Sequence, residues 1–170
     1  MKKAVLLLTL ISLISCEKEK EKTDAFFNPE NLESLELANI DGFWEDISSI
    51  DTSYGGAGGV IFDRFPGFLQ GIGLNAEKKS IWVTVFSSRD TAVMAMEHRI
   101  EVVSSVILEG TSNEINGTWW YAKSPGTVVF KNQWNTIIEV MNSQANNDSI
   151  KDIVYRTVNE LARRVDLYSK

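Results

Sequence analysis

Residues 81–108 read IWVTVFSSRDTAVMAMEHRIEVVSSVIL, and the change of period inside this stretch sets the class of the fold. From Ile81 to Phe86, β-branched and aromatic residues dominate over a typical strand length. Alternation puts Ile81, Val83 and Val85 on one side and Trp82 and Phe86 on the other. Both sides are largely apolar, so a central strand is expected. From Ala92 onward the apolar residues recur in steps of three and four, through Met96, Ile100, Val103 and Ile107, which predicts a helix from about Arg89 to Leu108. Ser87 with Asp90 three places on has the form of a capping box, and Gly110 suits a C-terminal stop.

Working toward the C-terminus, Thr118 to Ala122, Thr127 to Lys131 and Asn135 to Met141 read as three more strands. Lys123-Ser124-Pro125-Gly126 places Pro and then Gly at the centre of a type II turn, and Asn132-Gln133 is a short polar turn, so the three form an antiparallel meander. An amphipathic helix follows. Ser149 and Asp152 pair as a capping box, and Ile150, Ile153, Val154, Val158, Leu161, Ala162 and Val165 make one stripe. Arg163 and Arg164 fall in its last turns, where cations complement the dipole. The order after residue 80 is strand-helix-strand-strand-strand-helix. It predicts an α+β, two-layer domain: a mostly antiparallel sheet of four or more strands, with two long helices on one face in a ferredoxin-like order.

Working toward the N-terminus, Asp51 to Gly59 reads DTSYGGAGG, and its dense glycines predict a loop. Phe43, Trp44, Ile47 and Ile50 form a short apolar pattern at helical spacing, expected in the core. Asn28-Pro29-Glu30 has the form of a helix start, with Leu32 and Leu35 facing inward. The stretch from Asp41 to Lys79 is otherwise unplaced.

Met1, Lys2 and Lys3 open the chain with positive charge, Ala4 to Ile14 form an apolar run, and Leu13-Ile14-Ser15-Cys16 closes it. Eleven helical residues rise about 16 Å against a hydrocarbon core of about 30 Å, so the run is too short to span. The stretch resembles the lipobox of bacterial lipoproteins, with Leu13 three places before the cysteine and small Ser15 just before it. The resemblance implies a diacylglycerol thioether on Cys16, cleavage before it, and further acyl chains such as palmitate. Residues 1–15 are then a removed signal peptide, 16–25 a lipidated cysteine and charged tether, and 26–170 one globular domain. Glu17 to Lys22 reads EKEKEK and buries nothing. The tether is similar to the charged stretch after the cysteine in lipoproteins of the Bacteroidota. That likeness favours the outer membrane over the inner, while alternation of lysine with glutamate departs from a purely acidic run and assigns no face.

Loss of Lys2 and Lys3 with the signal moves the formal charge from −6 to about −8, which argues against nucleic acid as a partner. Cys16 is the only cysteine, so no disulfide forms. His98 is the only histidine. Without a second one or a thiolate, no metal site, no cofactor and no catalytic triad are expected. The glycines from Gly55 to Gly59 lack the Lys-Ser/Thr of a phosphate loop, and Asp51 and Ser53 lack the spaced carboxylates of a calcium loop. Asp90-Thr91-Ala92 and Asp148-Ser149-Ile150 resemble O-glycosylation sequons of the Bacteroidota, but both fall at helix starts where such residues cap.

The remaining signal is aromatic. Trp119 and Trp120 lie on one strand, with Trp82 and Trp134 on or beside the same sheet. If residues 26–79 leave one sheet face open, these indoles form a binding surface for a glycan, lipid or protein; if those residues cover it, the rings are core. The sequence therefore predicts an envelope lipoprotein, membrane-bound through Cys16, that is a non-enzymatic binding or interaction module. The alternatives are a small envelope enzyme using carboxylates such as Glu45 and Asp46, or a structural subunit of an envelope complex.

Overall fold

The computed structural model describes residues 25–55, 64–104, 110–114, 118–123, 126–144 and 148–170, with the side chains of 100, 102–104, 110–114 and 118–123 excepted. Cys16, the signal segment and the tether up to residue 24 lie outside the described residues.

Strand β3 (Lys79–Phe86) is paired on both sides, as its two apolar faces require. It belongs to a seven-stranded antiparallel sheet with β1 (Asp51–Tyr54), β2 (Phe68–Ala76), β4 (Gly110–Glu114), β5 (Thr118–Lys123), β6 (Thr127–Gln133) and β7 (Thr136–Asn142). The spatial order is β1-β2-β3-β7-β6-β5-β4. Helix α1 (Arg89–Ser104) follows β3, and helix α2 (Asp148–Tyr168) follows β7. The fold is α+β.

The strand alternation sorts the core into two clusters. Ile81, Val83 and Val85 join Val129, Ile138 and Val140 beneath Val154, Val158, Leu161, Ala162 and Val165 of α2. Phe86 joins Phe130 and Ile137 beneath Ala92, Ala95 and Met96 of α1, with half-buried Trp82 against them. The helices therefore lie on opposite faces of the sheet. This three-layer arrangement corrects the expected two layers with both helices on one face. The cause is the double-sided apolar character of β3, β6 and β7, since a single helical layer would leave one face of each in water. The route of α1 fits the same need: it leads from β3 inside the sheet to β4 at the far edge, packing on β3, β7, β6 and β5.

The segment before β1 completes the α2 layer. Asn28 caps as expected, its Oδ1 accepting from the Glu30 N–H at 3.1 Å, but only single 3-10 turns follow, at Pro29–Asn31 and Glu33–Leu35. Leu32 and Leu35 are buried with Phe27, Leu37, Ile40 and Phe43 against Ile72 and Leu74 of β2. The helical spacing from Phe43 to Ile50 forms no helix, because Gly42 and Asp46 take left-handed conformations at φ 76° and 64°. Phe43 is nevertheless core. Lys79 fixes this turn by donating to the carbonyls of Phe43 at 2.8 Å and Glu45 at 3.1 Å.

Several local expectations are corrected. Asp51 to Tyr54 is an edge strand and not loop, since β2 offers it a partner; Gly56 to Gly59 lie outside the described residues. The α1 cap is Ser88, whose Oγ accepts from the Thr91 N–H at 3.1 Å, one place later than Ser87. Gly110 opens β4 and ends no helix. Asn132 and Gln133 are strand, and the β6–β7 turn is Trp134-Asn135, with Trp134 at φ 53°. Helix α2 runs on to Tyr168, so Arg163 and Arg164 sit before its last turn.

Leu161 is fully buried at the centre of the α2 layer. Leu161→Asp is expected to cost at least about 3 kcal/mol by burying an unpaired charge. Urea denaturation checks this, and an unchanged midpoint would contradict the layer assignment.

Candidate functional site

Register aligns one residue from each strand in a row across the sheet, Ser53, Gly73, Trp82, Glu139, Phe130, Trp120 and Ser112, and Trp82 and Phe130 of this row pack under α1. Trp82 lies over Gly73, where an added β-carbon would fall against the indole ring, so the strand keeps glycine there for close approach. Beside it Glu139 is buried, and Arg99 of α1 comes down to meet it. Arg99 Nη2 is 3.1 Å from Glu139 Oε1, and its guanidinium stands 5.9 Å from the centre of the Phe130 ring. Burial pushes the Glu139 carboxyl above its ordinary range, and the charge and hydrogen bonds of Arg99 pull it partly back.

The opposite face carries a second polar group of residues. Lys131 is buried beneath α2, with its ammonium 3.5 Å from Asn159 Oδ1. Burial pushes its pKa down, and the Asp166 carboxylate opposes that shift. Asp166 Oδ1 also accepts from Gln133 Nε2 and Trp134 Nε1, both at 2.6 Å.

Along the flank of α2 a cleft of about 500 Å³ opens against the turn Asn39 to Asp41, lined further by Arg156, Thr157, Asn159, Glu160, Arg163 and Arg164. Glu160 accepts from Arg163 at 2.8 Å and Arg164 at 2.9 Å. These hydrogen bonds hold its carboxyl down to about 2. Arg164 also donates to the carbonyls of Leu35 at 2.7 Å and Asn39 at 2.8 Å, which forms one wall of the cleft. Arg156 is exposed and pairs with Asp152 at 2.9 Å. The lining carries donors, acceptors and both charge signs, and suits a polar ligand or a polar segment of a partner.

The four candidate tryptophans do not converge on one described patch. Trp82 is half-buried under α1, whereas Trp134 is half-buried at the β6–β7 turn against the α2 layer. Trp120 holds the register position opposite Phe130 and Trp119 the one opposite Lys131; the side chains of both lie outside the described residues. Of the described residues from 43 to 79, Phe43 packs in the α2 layer, Asp51–Tyr54 and Phe68–Ala76 extend the sheet, and Phe65 and Phe68 pack with Trp82 on the face that α1 covers. Glu45 and Asp46 are exposed in a turn and do not line the cleft. His98 is exposed, its ring 6.0 Å from that of Phe65. Among the described residues, no group of three or more His, Cys, Asp or Glu could hold a metal ion, and no helix is long and apolar enough to cross a membrane.

Sequence reasoning passed over Glu139, Arg99 and Lys131. The signal for two of them was present: Glu139 interrupts TIIEVMN, and Lys131 follows VVF, each a charge within a strand whose neighbours are apolar on both faces.

Fold and cleft together define an α+β domain, a seven-stranded antiparallel sheet between two helical layers with a polar flank cleft. No family model matches the chain, and no curated protein matches it. Among solved structures it is similar to the extracellular domain of PknH from Mycobacterium tuberculosis, at 12% identity over 82% of this chain and 99% of that one, with a TM-score of 0.46.

The Arg99–Glu139 pair generates a pH-dependent expectation. A carboxyl whose folded pKa is raised weakens the fold as pH rises from the unfolded value, near 4.5, through the folded one. Arg99→Ala removes the opposing cation, so its cost is expected to be about 3–5 kcal/mol near pH 7 and smaller at pH 5. Urea titrations at the two pH values check this; equal losses at both would mean that Glu139 does not titrate between them.

Proposed function

We propose that this protein is a lipid-anchored, non-enzymatic binding module of a bacterial envelope, held by acyl chains on Cys16 and meeting a polar partner at the flank cleft. The observation that carries the reading is the way the chain joins the fold. Phe26 exchanges backbone hydrogen bonds with Lys170 at 2.9 and 3.1 Å, and Phe27 is held by Asn135, so the tether meets the domain at one end of the sheet. A domain held at one end presents its flanks, including the cleft along α2. The buried ionisable groups support binding over catalysis, because Glu139, Lys131 and Lys79 are each spent on bonds within the fold. The lipobox from Leu13 to Cys16 supplies the anchor.

Cys16→Ser is expected to move the protein from the membrane fraction to the soluble one, since several acyl chains hold far more tightly than one. Unchanged partitioning by fractionation would overturn the anchor. For the cleft, a thermal-shift screen of oligosaccharides and polar peptides is expected to give a binder whose stabilisation disappears in Arg156→Ala, with the variant's own midpoint unchanged. Release of new reducing ends from those oligosaccharides would instead establish the enzyme alternative.

A further inference from the structure

The tether end of the domain carries exposed apolar side chains beside polar ones such as Ser87, Ser88, Asp90 and Lys170. At the far end, Glu77 and Lys78 form the β2–β3 turn, with Gln144 and Asp148 nearby in the chain after β7, and all four are exposed and polar. At the tether end, Phe26 is 41% exposed, Leu167 66% and Tyr168 39%. The pairing of Phe26 with Lys170 and of Phe27 with Ser169 brings the start of the domain against the end of α2, where Leu167 and Tyr168 lie. Half-buried Trp134 lies in the β6–β7 turn at the same end, its indole N–H held by Asp166, the residue before Leu167. Leu69, also exposed, lies at the same end of β2, beside the Phe68–Phe86 pair.

We propose that this end is a membrane-contact surface, on which the domain rests against the lipid interface that holds its own anchor. The inference builds on the lipid-anchor reading and adds an orientation to it. Three features favour lipid as the occupant. The tether, Glu17 to Asp24, reaches at most about 28 Å and joins the fold at Ala25, beside Phe26 at this end. So short a leash keeps the surface at high effective concentration near the bilayer, and a contact too weak to hold a free domain is then populated. The side chains also match the place: Trp and Tyr carry an apolar body with a polar handle, as residues at membrane interfaces do, and Leu167 and Phe26 add purely apolar area. In this orientation the flank of α2, with its cleft, stays accessible to a partner.

The test uses the full lipidated protein reconstituted in phosphatidylcholine vesicles, with a nitroxide on Leu167→Cys or, separately, on Glu77→Cys. Both positions are exposed, and the acylated Cys16 takes no label. Power saturation with oxygen, concentrated in lipid, and a nickel chelate, confined to water, reads the surroundings of each label. The expected result is a severalfold higher ratio of oxygen to nickel accessibility at 167 than at 77. Equal ratios with the protein bound to vesicles would overturn the contact and leave the anchor intact. Protein found in the supernatant would overturn both. Shielding of position 167 from both reagents would mean that a second copy or another protein covers this end, and would also overturn the proposal.

Discussion

The carboxamide of Asn135 ties three remote parts of the chain at one point. Its Oδ1 accepts from the Phe27 N–H at 2.7 Å, and its Nδ2 donates to the carbonyls of Phe27 at 3.1 Å and Phe86 at 2.8 Å. The Asn135 carbonyl also accepts from the Phe86 N–H at 2.8 Å. All of this is buried, where a backbone group left without a partner costs about 1–3 kcal/mol. One side chain thus closes the end of β3, the β6–β7 turn and the start of the domain. The adjoining Trp134 holds a left-handed conformation that costs an ordinary residue about 1–2 kcal/mol. It is held there from both sides: Asn132 Nδ2 donates to the Trp134 carbonyl at 3.0 Å, and the indole N–H reaches Asp166.

This knot explains which parts of the fold were legible in the sequence. Strand β3, the meander from 118 to 142 and helix α2 carry long periodic signals, and all are present. The β6–β7 turn was displaced by two residues because Asn132 and Gln133 look like turn residues. Their polar groups are instead used inside the sheet, by Asn132 on the turn carbonyls and by Gln133 on Asp166. Strands β1 and β4 have sequences, DTSY and GTSNE, with little apolar content. They are edge strands, each paired on one side only, and an edge partner is invisible to local pattern. The layer count was readable in principle. Two apolar faces on β3 already required two covers, whereas the stripe on a helix reports that one face is buried and not which side of the sheet receives it.

The candidate site was less legible, for a related reason. Tryptophan marks places of high contact area, but a ring in the sequence carries no information on whether it meets solvent or another layer. Trp82 meets α1 and Trp134 meets α2, so indoles close in the sheet serve different cores. The buried charges are the reverse case. Glu139 and Lys131 stood out by position, but their partners, Arg99 forty residues before the glutamate and Asn159 on α2, are set by tertiary packing.

Helix α2 links these levels. Its buried stripe covers the sheet, while its exposed flank holds the irregular N-terminal segment through Arg164, whose guanidinium donates to the carbonyls of Leu35, Glu36 and Asn39. The first of them lies where the 3-10 turn at Glu33–Leu35 ends on Glu36 in a left-handed conformation. Glu160 orients the guanidinium from below at 2.9 Å. A charged donor on three neutral acceptors is a stronger clamp than backbone pairing would give so short a turn. The same arginine therefore fixes the wall of the cleft and the packing of Leu35 and Leu37. A ligand in the cleft would meet a surface held in place before it arrives, losing little conformational freedom on binding.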